Sequence, residues 1–218
     1  MRIESIETLL PESNILYGTQ EYWDSRYAKD KGAFEWFGFS TVMKEKLKSF
    51  LKDKNSSILH LGCGNSELGP IMYQEGYWNI TNIDYSPIVI DDMMIKFAKT
   101  MPKMEWVIGN VFDLDSCLGD KRLYDFAIDK GTLDAFLTVK HDPWNPTEAL
   151  IKHIDSYMEQ VANHLESGGQ FIHVTFAQPH FRNRFLQQSF FKSVKVFNLN
   201  DNETGGGFDY FLYVCTKL

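Results

Sequence analysis

Short apolar runs alternate with longer amphipathic stretches along most of this chain. Ile58 to Leu61 reads as a first strand, Ser66 to Gln74 as a helix and Ile80 to Ile83 as a second strand. Ser86-Pro87 opens the next helix, with serine at the cap and proline at the first turn. Ile90, Met94, Ile95 and Phe97 keep a helical period behind it. Met104 to Ile108 and Tyr124 to Ile128 read as strands three and four. Thr147 to Leu165 is the clearest helix: Leu150, Ile154, Tyr157, Met158, Val161 and Leu165 form one stripe, and Gly168-Gly169 is the expected stop. Gln170 to Phe176 is a fifth strand and Phe181 to Gln188 a short helix. Val194 to Asn198 and Phe208 to Thr216 form a final strand pair, joined by a loop containing Gly205-Gly206-Gly207.

Strands alternating with helices predict a parallel sheet covered on both faces, an α/β fold. The last two strands have no helix between them, which predicts a C-terminal antiparallel hairpin. The first fifty-odd residues differ. They read as helical and are rich in aromatic residues: Tyr17, Tyr22, Trp23, Tyr27, Phe34, Trp36, Phe37 and Phe39. Val42, Met43, Leu47, Phe50 and Leu51 recur at helical spacing, so this segment packs on the sheet. We expect one domain over 1–218, with a helical, aromatic-rich cap over 1–55 and the sheet core over 56–218.

The length of 218 residues suits one sizeable core, and 44% hydrophobic with 23% charged residues is the balance of a globular protein. The net charge of −7 leaves no spare positive charge for phosphates, which argues against direct nucleic-acid or anionic-membrane binding. Cys63, Cys117 and Cys215 are odd in number and widely spaced, which fits a reducing compartment rather than a disulfide framework. The opening Met1-Arg2-Ile3-Glu4 is acidic where a signal peptide is apolar, and no run is long enough to span a bilayer, so a cytoplasmic protein is expected. The six histidines show no metal-ligand spacing, and no metal is implied.

The candidate chemistry starts at strand one. Leu61-Gly62-Cys63-Gly64-Asn65 is a glycine-rich turn after an apolar strand, and strand two ends in Asp84 about twenty residues later, the layout of a nucleoside pocket at a sheet edge. A lone G-x-G also builds an ordinary tight turn. The dinucleotide pattern wants a third glycine where this chain has Glu67, and a carboxylate there would face a pyrophosphate. A phosphate-free nucleoside fits better, and S-adenosylmethionine is one: its ribose hydroxyls can donate to Asp84, and Gly62 leaves room for its backbone.

These residues resemble a known family. LGCGN, NIDYS, DKGTLDA (Asp129 to Ala135) and PHFR (Pro179 to Arg182) look like class I, seven-β-strand methyltransferases. With Tyr22-Trp23-Asp24-x-Arg26-Tyr27 and Glu35-Trp36-Phe37-Gly38, they are similar to the branch that methylates lysines of translation elongation factor 1-alpha. The resemblance implies a Rossmann-like seven-stranded sheet, S-adenosyl-L-methionine as cofactor, and a protein substrate, with a monomer as the default. Carried over, Gly62 lines the methionine part and Gly64 belongs to the cofactor site, Asp84 meets the ribose, and Tyr85 lies beside the adenine. Asn110 and Val111 flank that base, Lys130 sits near the cofactor, and Trp23, Tyr27 and Trp36 close over it. Two positions depart from the family: His60 stands where an acid is common, and Asn110 where Asp is common.

Asp129 and Asp134 follow strand four, where such a sheet places its ligand crevice, and either carboxylate could orient an incoming ammonium or accept its proton. Asp134 could equally cap a helix turn, Lys130 could pair with a carboxylate, and the Trp23–Tyr27–Trp36 rings could be ordinary packing rather than cation-holding faces. His180 and Arg182 follow strand five and could shape a substrate entrance. Asp129-Lys130-Gly131-Thr132 does not match the Asn/Asp-Pro-Pro-aromatic motif of nucleic-acid adenine methyltransferases. Methylation of a small molecule or another protein, and a non-catalytic cofactor-binding scaffold, remain alternatives to protein-lysine methylation.

Overall fold

The computed structural model describes residues 9–37, 41–119, 122–199 and 209–218. The start Met1-Arg2-Ile3-Glu4, Gly38, Phe39, the triple glycine of the hairpin loop and Phe208 lie outside the described residues, as does the side chain of Val42. Among the described residues seven strands form one sheet: β1 (Ile58–Leu61), β2 (Ile80–Asp84), β3 (Glu105–Ile108), β4 (Tyr124–Lys130), β5 (Leu165–Thr175), β6 (Phe191–Asn198) and β7 (Phe211–Lys217). Their order is β3-β2-β1-β4-β5-β7-β6. The pairs among β1 to β5 are parallel, while β7 runs antiparallel to both β5 and β6. This is the Rossmann-like sheet with an antiparallel C-terminal hairpin that the pattern predicts. The strand order reverses between β1 and β4, and their C-terminal ends open the crevice where α/β sheets bind ligands.

Helices cover both faces because residues on a strand alternate sides. Leu59 and Leu61 of β1 pack toward α7 (Glu148–Asn163), against Ile154, Met158 and Val161. Ile58 packs on the other face, with Met43, Leu47 and Leu51, and with Leu68 and Met72 of α3 (Leu68–Gln74). Met43 and Leu47 belong to α2 (Thr41–Phe50). Near the first sheet edge, Val89, Ile90 and Met93 of α4 (Pro87–Phe97) meet Trp23 and Tyr27 of α1 (Gln20–Lys29). Burying each such side chain contributes about 1.5–3 kcal/mol.

Several boundaries differ from the sequence expectation. β4 runs on to Lys130 rather than ending at Ile128, so Asp129 and Lys130 belong to the strand, paired with His173 and Val174 of β5. The long helix ends at Asn163, and β5 begins at Leu165, before the paired glycines. Leu165 pairs with Tyr124, the register then shifts, and regular pairing resumes at Gln170 opposite Phe126. The glycines therefore sit in a strand irregularity rather than at a helix stop. Ser86 stands at the start of α4, but its hydroxyl donates to Asp24 of α1 and makes no cap bond. The helix expected from Ser66 starts at Leu68, whose N–H donates to the Ser66 hydroxyl. Two short helices, α5 (Leu114–Leu118) and α6 (Thr132–Phe136), were not legible as periodic segments. A further helix, α8 (Pro179–Leu186), follows β5.

Candidate functional site

A cavity of about 300 Å³ opens at the C-terminal ends of β1, β2 and β4. Trp23, Tyr27, Trp36, Gly62, Gly64, Asp84, Tyr85, Asn110, Val111 and Lys130 all line it. The first wall is the glycine turn. Gly62 has φ +56°, and a Cβ there would fall 2.2 Å from the Thr132 hydroxyl oxygen. That hydroxyl donates to the Leu61 carbonyl at 3.0 Å and so staples the start of α6 to the end of β1. Glu67 does not face the cavity; it is exposed. The close helix–strand approach expected of a third glycine is made by Gly69, where a Cβ would lie 2.6 Å from Asn82 Oδ1.

Asp84 is 4% exposed. One carboxylate oxygen accepts from Gly64 N at 2.9 Å, the other from Ser86 N at 3.0 Å. Each oxygen keeps a lone pair for a further donor. Burial pushes the carboxyl up to about 6; the two backbone N–H groups oppose this, and the nearby Asp24 charge adds to it. Burial also pushes the Tyr85 phenol upward. The Asn110 amide oxygen accepts from Phe112 N at 3.0 Å.

The aromatic N-terminal segment closes the second wall. Leu9 and the 3₁₀ turn Asn14–Gly18 are strapped to α1 by three bonds. Tyr22 and Arg26 each donate to the Leu9 carbonyl at 2.9 Å, and Trp23 Nε1 donates to the Tyr17 carbonyl at 2.7 Å. Tyr17, Trp23 and Trp36 have centroids 4.7–5.9 Å apart, so these rings pack on one another while presenting surface to the cavity. Trp36 lies over Gly131, where a Cβ would sit 2.7 Å from its ring.

Lys130 pairs with a carboxylate. Its side chain is 2% exposed and its Nζ is 2.6 Å from Glu35 Oε2. Glu35 also accepts from the Ser66 hydroxyl at 3.0 Å and from Glu67 N at 2.7 Å. A residue of the aromatic segment is thereby tied to the glycine turn and to the end of β4.

Asp129 and Asp134 do not line the cavity. Asp129 is fully buried and accepts from Tyr157 Oη at 2.7 Å, from Leu133 N at 2.9 Å and from Thr132 N at 3.2 Å, with His173 Nδ1 at 3.1 Å. Burial pushes its carboxyl up, but His173 and these donors outweigh that and hold it below the usual carboxylate range. It thus caps α6 and joins it to α7 and β5. Asp134 is bonded to the Arg182 guanidinium and accepts from Thr175 Oγ1 at 2.6 Å. Arg182 is therefore a buried structural cation, whereas His180 stacks on the exposed Trp144 at 5.1 Å. His60 is buried against Asn82 Oδ1 at 3.0 Å, and burial lowers its imidazole to about 4.

Phe112, Phe136 and His153 line the far end of the cavity, with the His153 ring stacked on Phe112 at 4.3 Å. No motif contains these residues, since α7 brings His153 across the fold. Glu35 could have been suspected from the Glu35-Trp36-Phe37 pattern, but its partners could not. Among the described residues no cluster of three or more His, Cys, Asp or Glu could hold a metal, and no helix is long and apolar enough to cross a membrane.

A methyltransferase domain family matches residues 52–205. Mouse EEF1A lysine methyltransferase 4 is 37% identical over 210 residues, covering 95% of this chain and 79% of that protein. The mouse eEF1A lysine and N-terminal methyltransferase is 33% identical over 173 residues, 79% of this chain and 23% of that protein. Among solved structures, the Burkholderia thailandensis 1,6-didemethyltoxoflavin-N1-methyltransferase, with 1,6-didemethyltoxoflavin and S-adenosylhomocysteine bound, has a TM-score of 0.61 at 15% identity. That match covers 91% of this chain and 86% of the other, and shows a shared fold.

Proposed function

This chain belongs to the methyltransferase family, and from that premise we propose that it is an S-adenosylmethionine-dependent protein-lysine N-methyltransferase acting on translation elongation factor 1-alpha. The observation that carries the substrate class is the 37% identity to mouse EEF1A lysine methyltransferase 4, which extends over 95% of the chain and takes in the aromatic segment ahead of the sheet core.

The cavity suits the cofactor on its own chemistry. Asp84 keeps one free acceptor position on each oxygen, a match for two vicinal ribose hydroxyls. Tyr85, Asn110 and Val111 would flank the adenine, and Gly62, Gly64 and Lys130 would hold the amino-acid tail. Trp23, Tyr27 and Trp36 would cover it with aromatic faces, which favour a cation. Bound there, S-adenosylmethionine supplies a methyl group carried on a sulfonium.

The chain's own task is alignment and exclusion of water. A lysine arrives protonated, with an ordinary pKa of about 10.4. An aromatic mouth lowers that value by desolvation, and neighbouring positive charge acts in the same direction. Asp129 and Asp134 are bonded away from the cavity, so we assign them to holding α6 in place rather than to taking the proton. A cytoplasmic site of action follows from a substrate that works on ribosomes.

The test is incubation of the protein with radiolabelled S-adenosylmethionine and purified elongation factor 1-alpha, followed by mapping of the labelled residue. Label on a lysine of the factor is expected. Label only in the low-mass fraction, or only on another protein, refutes the substrate assignment.

A further inference from the structure

Of the residues lining the cavity, the only carboxylate among those described is Asp84 and the only lysine or arginine is Lys130. Asp84 belongs to the nucleoside half. Lys130 stands beside the glycine turn, at the other end, with one of its three ammonium protons directed to Glu35. Glu35 lies just behind that wall and, among the described residues, has four hydrogen-bond contacts: Lys130, Glu67 N and a bifurcated pair from the Ser66 hydroxyl. Residue 36, next in the chain, lies over Gly131, beside Lys130. One carboxylate therefore fixes an ammonium in the wall, the glycine turn and the aromatic cover.

We propose that Glu35 is a positioning residue for the amino-acid tail of the cofactor. It holds the Lys130 ammonium at the cavity wall, with two N–H groups left for the tail carboxylate, and pins the aromatic segment across that end. Without it, a buried ammonium stands beside the glycine turn with no counter-charge, and such a group moves out toward water or draws water in. The nucleoside half, built from Asp84, Tyr85, Asn110 and Val111, has no bond to Glu35 among the described residues. Its tie to the glycine turn is the Gly64 N–H on Asp84, whereas Glu35 bonds that turn at Ser66 and Glu67. This inference rests on the cofactor reading above.

The test compares two ligands by isothermal titration calorimetry. S-adenosylhomocysteine carries the amino-acid tail, and 5′-methylthioadenosine lacks it. In Glu35→Gln the affinity for S-adenosylhomocysteine is expected to fall about tenfold or more, the scale of one lost charged contact, while that for 5′-methylthioadenosine changes by less than about twofold. Glu35→Asp, too short to reach both Lys130 and the glycine turn, gives the same selective loss and serves if the glutamine variant folds poorly. Glu35→Gln combined with Lys130→Met is expected to lose no more than the larger single loss, because the two residues act as a unit. Equal weakening of both ligands, or undiminished S-adenosylhomocysteine binding, overturns the proposal. If the unaltered protein binds neither ligand, the cofactor reading itself fails.

Discussion

Cofactor affinity should depend on pH through Asp84. Its carboxyl is pushed up to about 6, chiefly by burial, with Asp24 adding to the shift. Ribose hydroxyls donate best to the ionised form, so binding favours loss of the proton. With a value near 6, about nine-tenths of the free protein is ionised at pH 7 and about one-tenth at pH 5. The apparent Kd scales inversely with the competent fraction, so affinity should fall about tenfold from pH 7 to pH 5, or about 1.4 kcal/mol. The sign is fixed: affinity rises with pH through 6 and levels off above about 7. The α-amino group of the ligand, beside its own carboxylate, titrates above about 8, outside this window. The neighbouring Tyr27 and Cys63 are pushed upward by burial, away from it. Calorimetry with S-adenosylhomocysteine at pH 5, 6 and 7, in buffers of different ionisation enthalpy, reads both the affinity and the released proton. His153→Phe separates any contribution from the histidine on the cavity wall. Asp84→Asn should bind about 1–3 kcal/mol more weakly at pH 7 and lose the slope. A flat profile in the unaltered protein, or an unchanged slope in Asp84→Asn, refutes the reasoning.

Gly62→Ala places a methyl 2.2 Å from the Thr132 hydroxyl at φ +56°, and should cost about 2–4 kcal/mol of stability by urea unfolding; a cost under about 0.5 kcal/mol would discount the close approach. Arg182→Met leaves the Asp134 carboxylate buried and unpaired, for an expected loss of about 3–5 kcal/mol, and Asp134→Leu in the same chain should restore much of it. His60 is held neutral in the fold, since burial lowers it from about 6.5 to about 4. Its contribution to stability is present above the unfolded value and is lost as pH falls through that window. The urea midpoint of His60→Gln should therefore drop less between pH 7 and pH 4.5 than that of the unaltered protein, after allowing for Asp84, whose raised carboxyl acts in the opposite direction.

Much of the fold was legible because it depends on local periodicity. Ile58–Leu61 is a short, largely apolar run, Ile80 and Ile83 mark the second strand, and the α7 stripe of Leu150, Ile154, Met158 and Val161 has one face to bury. The start of β5 was not legible. Leu165 fits a helical stripe as well as a strand, and only its pairing with Tyr124 decides between them. The glycine turn, Asp84 and Lys130 could be read because each stands at the C-terminal end of a strand, and parallel strands gather those ends on one edge. Phe112, Phe136 and His153 could not, because their meeting depends on where α6 and α7 dock.

The sequence by itself determined the mostly parallel sheet, the antiparallel hairpin and the family, since these are written in spacing and motif, whereas Glu67, expected to face the pocket, lies outside it. The tertiary structure decided which charged groups could take part. Asp129, in β4, spends its oxygens on Tyr157 and His173, and Asp134, in α6, gives one oxygen to Thr175 and Arg182, away from the cavity. Glu35, 95 residues before Lys130, comes to stand 2.6 Å from it. A carboxylate buried away from water must find donors within about 3 Å, and which donors lie that near is settled by packing between elements distant in the chain.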